Sequence, residues 1–281
     1  MKFSVSSDLS YEVFSPTTFV FNIHVANNNA QQVIEESLVV SPELTTEQFI
    51  FKNSDARLLK IQVPQGSSLS ISYRATVEVV FRELDENDLL PSIPVMQLDH
   101  EVLPFLFPSR HCQSDKMSKF ASKQFGSIKD EFTKVLAIND WVFNHIDYVT
   151  GVTNSGTSAY DTLVQREGVC KDFAHLCIAL CRASEIPARY FTGYAYHLNP
   201  PDFHACFEAY IGGHWVFFDP TRLAPVNGLV KIANSKDAAE AAVANFFGNT
   251  YCSYLNVQCT AETGFEPALP LNLDRKAVTY Q

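Results

Sequence analysis

The chain is organised around residues 167–183, which read EGVCKDFAHLCIALCRA. Apolar or small residues recur here at helical spacing, so the pattern predicts a buried helix that begins close to Cys170. Gly168 permits a tight turn just before this helix, and Pro187 cannot continue it. The unpaired backbone N–H groups and the positive dipole end at a helix N-terminus favour the thiolate, which is the reactive form of cysteine. Cys170 is therefore a candidate nucleophile.

A histidine and an aspartate lie at neighbouring ends of two strands that are predicted after this helix. Three strands are predicted after the helix, at residues 188–196, 203–211 and 214–218. Gly212-Gly213 is the predicted hairpin turn between the second strand and the third. His204 opens the second strand and Asp219 follows the third, and antiparallel pairing brings those two ends side by side. If the helix packs its N-terminus there, Cys170, His204 and Asp219 form a nucleophile, a base and an orienting acid.

Four motifs in this part of the chain resemble the transglutaminase-like superfamily, whose papain-like core uses Cys, His and Asp. The motifs are residues 168–174, residues 186–189 with Gly193-Tyr194, His204-Ala205 with Glu208 and Tyr210, and Trp215 with Asp219-Pro220-Thr221. The resemblance covers about residues 138 to 221 and implies that Cys170 is the nucleophile, His204 the base and Asp219 its partner. The region before this core is similar to the β-domain that precedes it in a bacterial branch of the family.

Two positions depart from the commonest pattern of that family. Cys206 stands where a tryptophan is frequent, and Glu185 stands where a glycine is frequent. Neither change removes a reacting group. Cys206 does alter the expected wall of the acyl-binding pocket.

The chain has 281 residues, which is enough for two domains. Apolar residues alternate over residues 3–13, 19–25 and 71–81 with turn residues between the runs, which predicts an antiparallel β-sandwich. The predicted fold class is α+β. An N-terminal antiparallel β-sandwich domain, residues 1–100, is followed by a papain/transglutaminase-like α+β core, residues 101–281, which is the catalytic domain.

The composition of the chain argues against two classes of binding partner. The formal net charge is −10, whereas nucleic acids and anionic membranes call for basic patches, so neither is an expected partner. The seven cysteines are an odd number and favour reduced thiols. The N-terminus lacks the apolar run of a signal peptide, and the expected location is cytoplasmic.

Other segments give secondary-structure expectations. Helices are predicted at residues 115–125 and 129–146, and an alanine-rich helix at residues 235–247. Residues 251–259 predict a closing strand, and residues 264–281 an extended or frayed tail. His24 lies opposite the core positions of its strand and is expected to be solvated.

The implied chemistry is acyl transfer on a peptide or protein substrate. Cys170 attacks an amide carbonyl, its backbone N–H holds the oxyanion, and His204 carries the proton. Water as acceptor gives a peptidase or amidase, an amine gives a transglutaminase, and an inactive triad would leave a peptide-binding scaffold. Hydrolysis is favoured because water needs no dedicated acceptor site. Gln165 and Tyr160 are the candidates for a second oxyanion donor.

No obligatory metal is expected, because the sequence contains no calcium loop of the EF-hand type, and no cofactor is expected either. Cys177 and Cys181 share a helix face, but no second pair of ligands joins them, so packing is the favoured interpretation. His175 is about 140° around the helix from Cys170, which makes it a poor candidate for the base.

Overall fold

The structure is a computed structural model that describes residues 1–51, 55–90, 92–268 and 277–280. The strands of the N-terminal half are β1 (Lys2–Val13), β2 (Thr17–Phe21), β3 (Gln31–Ser41), β4 (Thr46–Ile50), β5 (Arg57–Val63), β6 (Ser68–Val79) and β7 (Arg82–Leu84). The helices are α1 (Ser118–Phe125), α2 (Glu131–His145), α3 (Ala159–Gln165), α4 (Cys170–Ala183) and α5 (Ala238–Ala241). The later strands are β8 (Asp147–Tyr148), β9 (Glu167–Gly168), β10 (Ala188–Ala195), β11 (His204–Ile211), β12 (His214–Phe218), β13 (Leu229–Ser235), β14 (Ala244–Phe247), β15 (Thr250–Ala261) and β16 (Ala277–Thr279).

The N-terminal region is a β-sandwich of two antiparallel sheets, in the strand orders β15-β1-β6-β3 and β14-β2-β5-β4. Alternate residues of β1 and β6 are buried, as the two-residue period predicts. The layers meet through aromatic rings, since Tyr11 of β1 lies 5.1 Å from Phe19 and 5.7 Å from Phe21 of β2, measured between ring centroids. The predicted α+β class with an N-terminal β-rich part is confirmed.

Both sheets of the sandwich are completed by strands from the C-terminal end of the chain. β15 pairs with β1 from Phe3↔Ala261 to Val13↔Thr250, and β14 pairs with β2. The predicted closing strand at residues 251–259 is therefore present as β15. The division into residues 1–100 and 101–281 stays a prediction, but residues 244–261 pair with the N-terminal strands rather than with the sheet beside Cys170.

The second part of the fold packs helix α4 against the antiparallel sheet β12-β11-β10-β13. The predicted helix is confirmed and begins at Cys170. Every residue from Asp172 to Arg182 is buried, so α4 is enclosed on all sides and not only on its apolar face. An enclosed helix holds its first residue in a fixed place relative to the sheet.

Buried hydrogen bonds join the two parts. Tyr194 of β10 donates its hydroxyl to the carbonyl of Ile23 at 2.7 Å and lies 3.1 Å from the hydroxyl of Ser7. Ser7 is the one polar residue on the buried face of β1, and this contact with Tyr194 satisfies it. Gln31 bonds both backbone groups of Lys231 on β13. The sandwich therefore supports the sheet that carries the candidate site.

The prediction of a helix at residues 235–247 is wrong. Only one helical turn, α5, forms there, and β13 and β14 lie on either side of it. Alanine favours helix, but the propensity is a fraction of a kcal/mol per residue, and pairing of β14 with the distant strand β2 overrides it.

Two further expectations differ from the structure. His24 is 2% exposed and packs edge-on against Tyr73 at 4.9 Å between ring centroids, because the chain turns into the interior after β2. In the predicted frayed tail, residues 269–276 and Gln281 lie outside the described residues, while β16 pairs with β7 and Tyr280 is buried.

Among the helices described, none has both the length and the apolar character needed to cross a membrane.

Candidate active site

Cys170 is the first residue of α4, and the buried carboxylate of Asp172 holds the turn that leads into this helix. Asp172 accepts the backbone N–H of Val169 at 3.0 Å, the hydroxyl of Thr153 at 2.7 Å and the ammonium of Lys171 at 2.5 Å. A Cβ on Gly168 would lie 2.7 Å from the Cβ of Asp172, so only glycine leaves room for this carboxylate. Asp172 is therefore a structural residue of the first turn of α4, and its bonds hold the backbone on both sides of Cys170.

His204 and Asp219 meet at the end of the β11–β12 hairpin. The Nε2 atom of His204 lies 2.9 Å from Oδ2 of Asp219, and the two side chains are 1% and 0% exposed. β11 begins at His204, while β12 ends at Phe218, so the register of the hairpin sets this contact. The side-by-side placement expected from the sequence is therefore what the structure has.

Asp219 is held in one orientation by three further donors. The Oδ1 atom accepts the backbone N–H of Thr221 at 2.9 Å and its hydroxyl at 2.7 Å, and Oδ2 accepts the N–H of Ala224 at 3.0 Å. Burial alone would raise the pKa of Asp219, but the charge of His204 and the hydrogen bonds from His204 and Thr221 outweigh burial and lower it. The carboxylate is therefore ionised at neutral pH. The sequence did not single out Thr221 for this role, although it stands inside the Asp219-Pro220-Thr221 motif.

His204 lies between Asp219 and two cysteines. Burial opposes its charged form, but Cys206, Asp219 and a hydrogen bond with the side chain of Cys170 raise the pKa of His204 well above its usual value. Burial raises the pKa of Cys206 to about 12, so Cys206 is a neutral thiol at neutral pH and Asp219 is the charge that acts on the imidazole. A stable imidazolium beside Cys170 is the partner that a thiolate needs.

The structure thus brings all three predicted site residues together. The side chain of Cys170 is among the groups that raise the pKa of His204, and His204 is bonded to the buried carboxylate of Asp219. This order of sulfur, imidazole and carboxylate can generate a nucleophile, move a proton and stabilise the imidazolium.

A metal site has less support at the same place. Ligand atoms of His204, Cys206 and Asp219 lie within 4.8 Å of one another. However, His204 and Asp219 are already bonded to each other, and both oxygens of Asp219 accept backbone or hydroxyl donors. A metal ion would have to displace these bonds, so the arrangement suits proton transfer better than ligation.

The other candidates from the sequence lie elsewhere. His175 is buried and accepts the backbone N–H of Ala238, with its ring stacked 5.0 Å from His111. Gln165 is exposed at the end of α3. The ring of Tyr160 lies under the ammonium of Lys116, 5.6 Å from its nitrogen. Cys177 and Cys181 are fully buried in the core, as packing residues are.

The burial of His175 predicts a pH-dependent stability. Burial, and next the charge of His111, lower the pKa of His175 far below the usual 6.5. The unfolded chain therefore binds a proton that the folded chain does not, and the free energy of unfolding falls as the pH drops below 6.5, by about 1.4 kcal/mol per pH unit for this group. His204 has a raised pKa, so its contribution is fully present below 6.5 and does not change in that range.

Urea unfolding at pH 6.5 and at pH 5.0 measures this difference. We expect the His175→Gln variant, whose amide oxygen can still accept the N–H of Ala238, to lose less stability between the two pH values than the unmodified protein does. An equal loss in both proteins would contradict the assignment to His175, because His24 also has a pKa lowered by burial and would then account for the effect.

Comparison with protein families places both parts of the chain. Residues 1–101 match the family described as the bacterial transglutaminase N-terminal domain, and residues 118–220 match the transglutaminase-like superfamily. The second match contains Cys170 and His204 and ends just after Asp219.

Comparison with individual proteins agrees with the family matches. The crystal structure of a proposed cysteine protease from Cytophaga hutchinsonii is 51% identical to this chain, with a TM-score of 0.97 over 100% of this chain and 98% of that one. The uncharacterized protein ML0607 of Mycobacterium leprae is 26% identical over 227 residues, which are 75% of this chain and 80% of that protein.

Proposed function

This chain belongs to the transglutaminase-like superfamily, and from that premise we propose that it hydrolyses peptide or amide bonds through Cys170, His204 and Asp219. The observation that carries the proposal is the buried bond of 2.9 Å between His204 and Asp219, with the side chain of Cys170 close enough to help raise the pKa of the same imidazole. The description of the Cytophaga hutchinsonii protein as a proposed cysteine protease also supports it.

The first half of the reaction forms a thioester. The sulfur of Cys170 attacks the carbonyl carbon, and the backbone N–H of Cys170 donates to the oxyanion that forms. His204 then gives its proton to the nitrogen of the leaving amine, and the C–N bond breaks. Asp219 keeps the imidazole oriented and stabilises its charged form, because its own oxygens are fixed by Thr221 and Ala224.

The second half decides between a hydrolase and a transferase. If His204 deprotonates a water molecule, that water attacks the thioester and releases the carboxylic acid. If an amine attacks the thioester instead, a new amide forms. We favour water because it needs no binding site of its own.

A nucleophilic thiol must also stay reduced, which supports the proposal that the protein acts in a reducing compartment such as the cytoplasm.

The mass of the product distinguishes the two reactions. The protein is incubated with a glutamine-containing peptide, with and without a primary amine, and the Cys170→Ala variant serves as the control. Hydrolysis predicts cleaved or deamidated peptide in both mixtures. A peptide that gains the amine with loss of ammonia would identify a transglutaminase, and an unchanged peptide would favour the peptide-binding scaffold once varied peptide sequences have been tried.

A further inference from the structure

One edge of the β-sandwich is formed by a stretch of chain that has no charged side chain. Residues 241–261 contain no Asp, Glu, Lys, Arg or His, in a chain whose formal net charge is −10. They include β14 and β15, which are edge strands of the two sheets, and no strand in the described part of the chain lies beyond either of them. Because the turn at residues 248–249 joins the two strands, they lie side by side at the same edge of the sandwich.

Large apolar and aromatic side chains are exposed along this edge. Leu255 pairs with the buried Leu9, and the ring of Phe246 lies 6.3 Å from that of Phe19, yet both stay partly exposed because no described strand covers the edge. The edge patch consists of six such side chains, which are between 39% and 70% exposed: Phe14, Phe246, Phe247, Tyr251, Tyr254 and Leu255. Phe14 belongs to it because its N–H donates to the carbonyl of Asn249 at 2.9 Å.

The opposite edge of the sandwich is protected in the usual ways. Natural edge strands carry charged residues, proline or a bulge, which prevent pairing with other chains. β3 carries Glu35 and Glu36, has a bulge between Val33 and Glu35, and is followed by Pro42. β4 carries Glu47. The lack of charge on β14 and β15 is therefore a local property of one edge.

A bulge in β15 determines how a partner can bind there. The register of β15 on β1 shifts between Ser10 and Tyr11, which leaves Ser253 as an extra residue in the exposed half of the strand. A peptide that adds to a sheet as a new strand needs a regular edge for its backbone hydrogen bonds. β15 is interrupted by the bulge and β14 has four residues, so a partner packs on the side chains with an apolar surface of its own.

We propose that this edge is the interface of a symmetric dimer, in which the edge patch of one chain packs on the edge patch of a second copy. Two chains of net charge −10 repel each other, but neither contributes a charge from residues 241–261. A two-fold interface places the same surface on both sides, and a surface of neutral apolar and aromatic groups is complementary to itself.

The size of the edge patch fits such an interface. At about 200 Å² for a fully exposed aromatic side chain, the five rings and Leu255 offer about 600 Å² at their observed exposure. A standard interface takes about 800 Å² from each partner, with an apolar centre and a polar rim. The exposed Asn249, Cys252 and Ser253 lie among the rings and supply further area.

Analytical ultracentrifugation at protein concentrations from about 1 to about 100 µM measures the association. We expect the unmodified protein to reach twice the mass of one chain at the highest concentration. Phe247 is 70% exposed, so in Phe247→Glu the carboxylate is hydrated in the monomer but loses water in an apolar interface. The dissociation constant should rise at least about 100-fold, which keeps this variant at the mass of one chain.

Met96→Glu is the matched control. It also replaces an exposed large apolar side chain by a carboxylate and adds the same charge, since Met96 is 96% exposed. Met96 lies in the connector that packs through Leu98 and Val102 against Trp215, outside the sandwich. Its dissociation constant should stay within about twofold of the unmodified value. The thermal melting temperature of each variant verifies the fold.

Alkylation of Cys252 by iodoacetamide locates the contact. Cys252 is exposed in the single chain and lies between Tyr251 and Ser253, so the dimer covers it. We expect its rate constant to be at least about fivefold lower at the highest protein concentration than at the lowest, where the dimer has dissociated and the thiol is open. In Phe247→Glu the rate constant should not depend on protein concentration.

Each outcome decides for or against the dimer. Dimerisation that is lost in Phe247→Glu and kept in Met96→Glu, with protection of Cys252, supports it. The mass of one chain at every concentration would overturn it and leave the edge patch to a different partner. A dimer that persists in Phe247→Glu, dissociates equally in Met96→Glu or leaves Cys252 unprotected would overturn it as well, because the contact would lie elsewhere. None of these measurements involves the reaction of Cys170, so the proposed function is tested separately.

Discussion

Replacement of Cys170 by alanine is expected to lower kcat for a peptide substrate by about a million-fold. Without the sulfur no thioester forms, and only substrate binding and the oxyanion donors remain to accelerate attack by water. Cys170 is partly exposed and the substitution is small, so the fold should persist. Single-turnover kinetics on the variant measure the effect.

Cys206→Ala is the control for this substitution. It also removes a thiol beside His204, but Cys206 is fully buried and neutral and has no role in the proposed reaction. Its kcat should stay within about tenfold of the unmodified value, allowing for a small cavity next to the imidazole. If Cys206→Ala were as inactive as Cys170→Ala, the nucleophile would be misassigned.

Replacement of His204 by alanine is expected to have an effect of the same size, about a million-fold in kcat. The variant loses the base that forms the thiolate and the acid that protonates the leaving amine, and it leaves Asp219 as a buried carboxylate without its cation. Because the residues act as a unit, the double variant with Cys170→Ala should be no slower than either single one.

The double variant therefore tests whether His204 and Cys170 act together more sharply than either single variant does. If the two effects multiplied instead, His204 and Cys170 would act in separate steps. The His145→Gln variant controls for the loss of an imidazole in general, since His145 is exposed at the end of α2 and stacks on Trp141 away from the triad.

The sequence predicted the site best where local pattern and geometry coincide. The start of α4 at Cys170 follows from helical spacing after a glycine, and the meeting of His204 with Asp219 follows from the register of one hairpin. Both depend on contacts between residues close in the chain. The rest of the triad geometry needed only that α4 pack its N-terminus on that hairpin.

The sequence predicted least where a distant segment supplies the partner. Residues 244–247 form a strand because β2, more than two hundred positions earlier, offers an edge. His24 is buried because the chain turns into the interior after β2 and places the ring against Tyr73, which the alternation of a strand does not predict.

The most direct test of the catalytic assignment is the rate at which each cysteine reacts with iodoacetamide at pH 6, mapped by mass spectrometry. Cys252 is exposed, Cys170 is partly exposed, and the other five cysteines are buried, so Cys252 is an internal reference. An ordinary thiol is less than about 1% thiolate at this pH, whereas a thiolate paired with an imidazolium reacts freely. We predict that Cys170 is alkylated at least about tenfold faster than Cys252 despite its lower exposure, and that His204→Ala abolishes the difference. Labelling that follows exposure, with Cys252 first, would contradict the account.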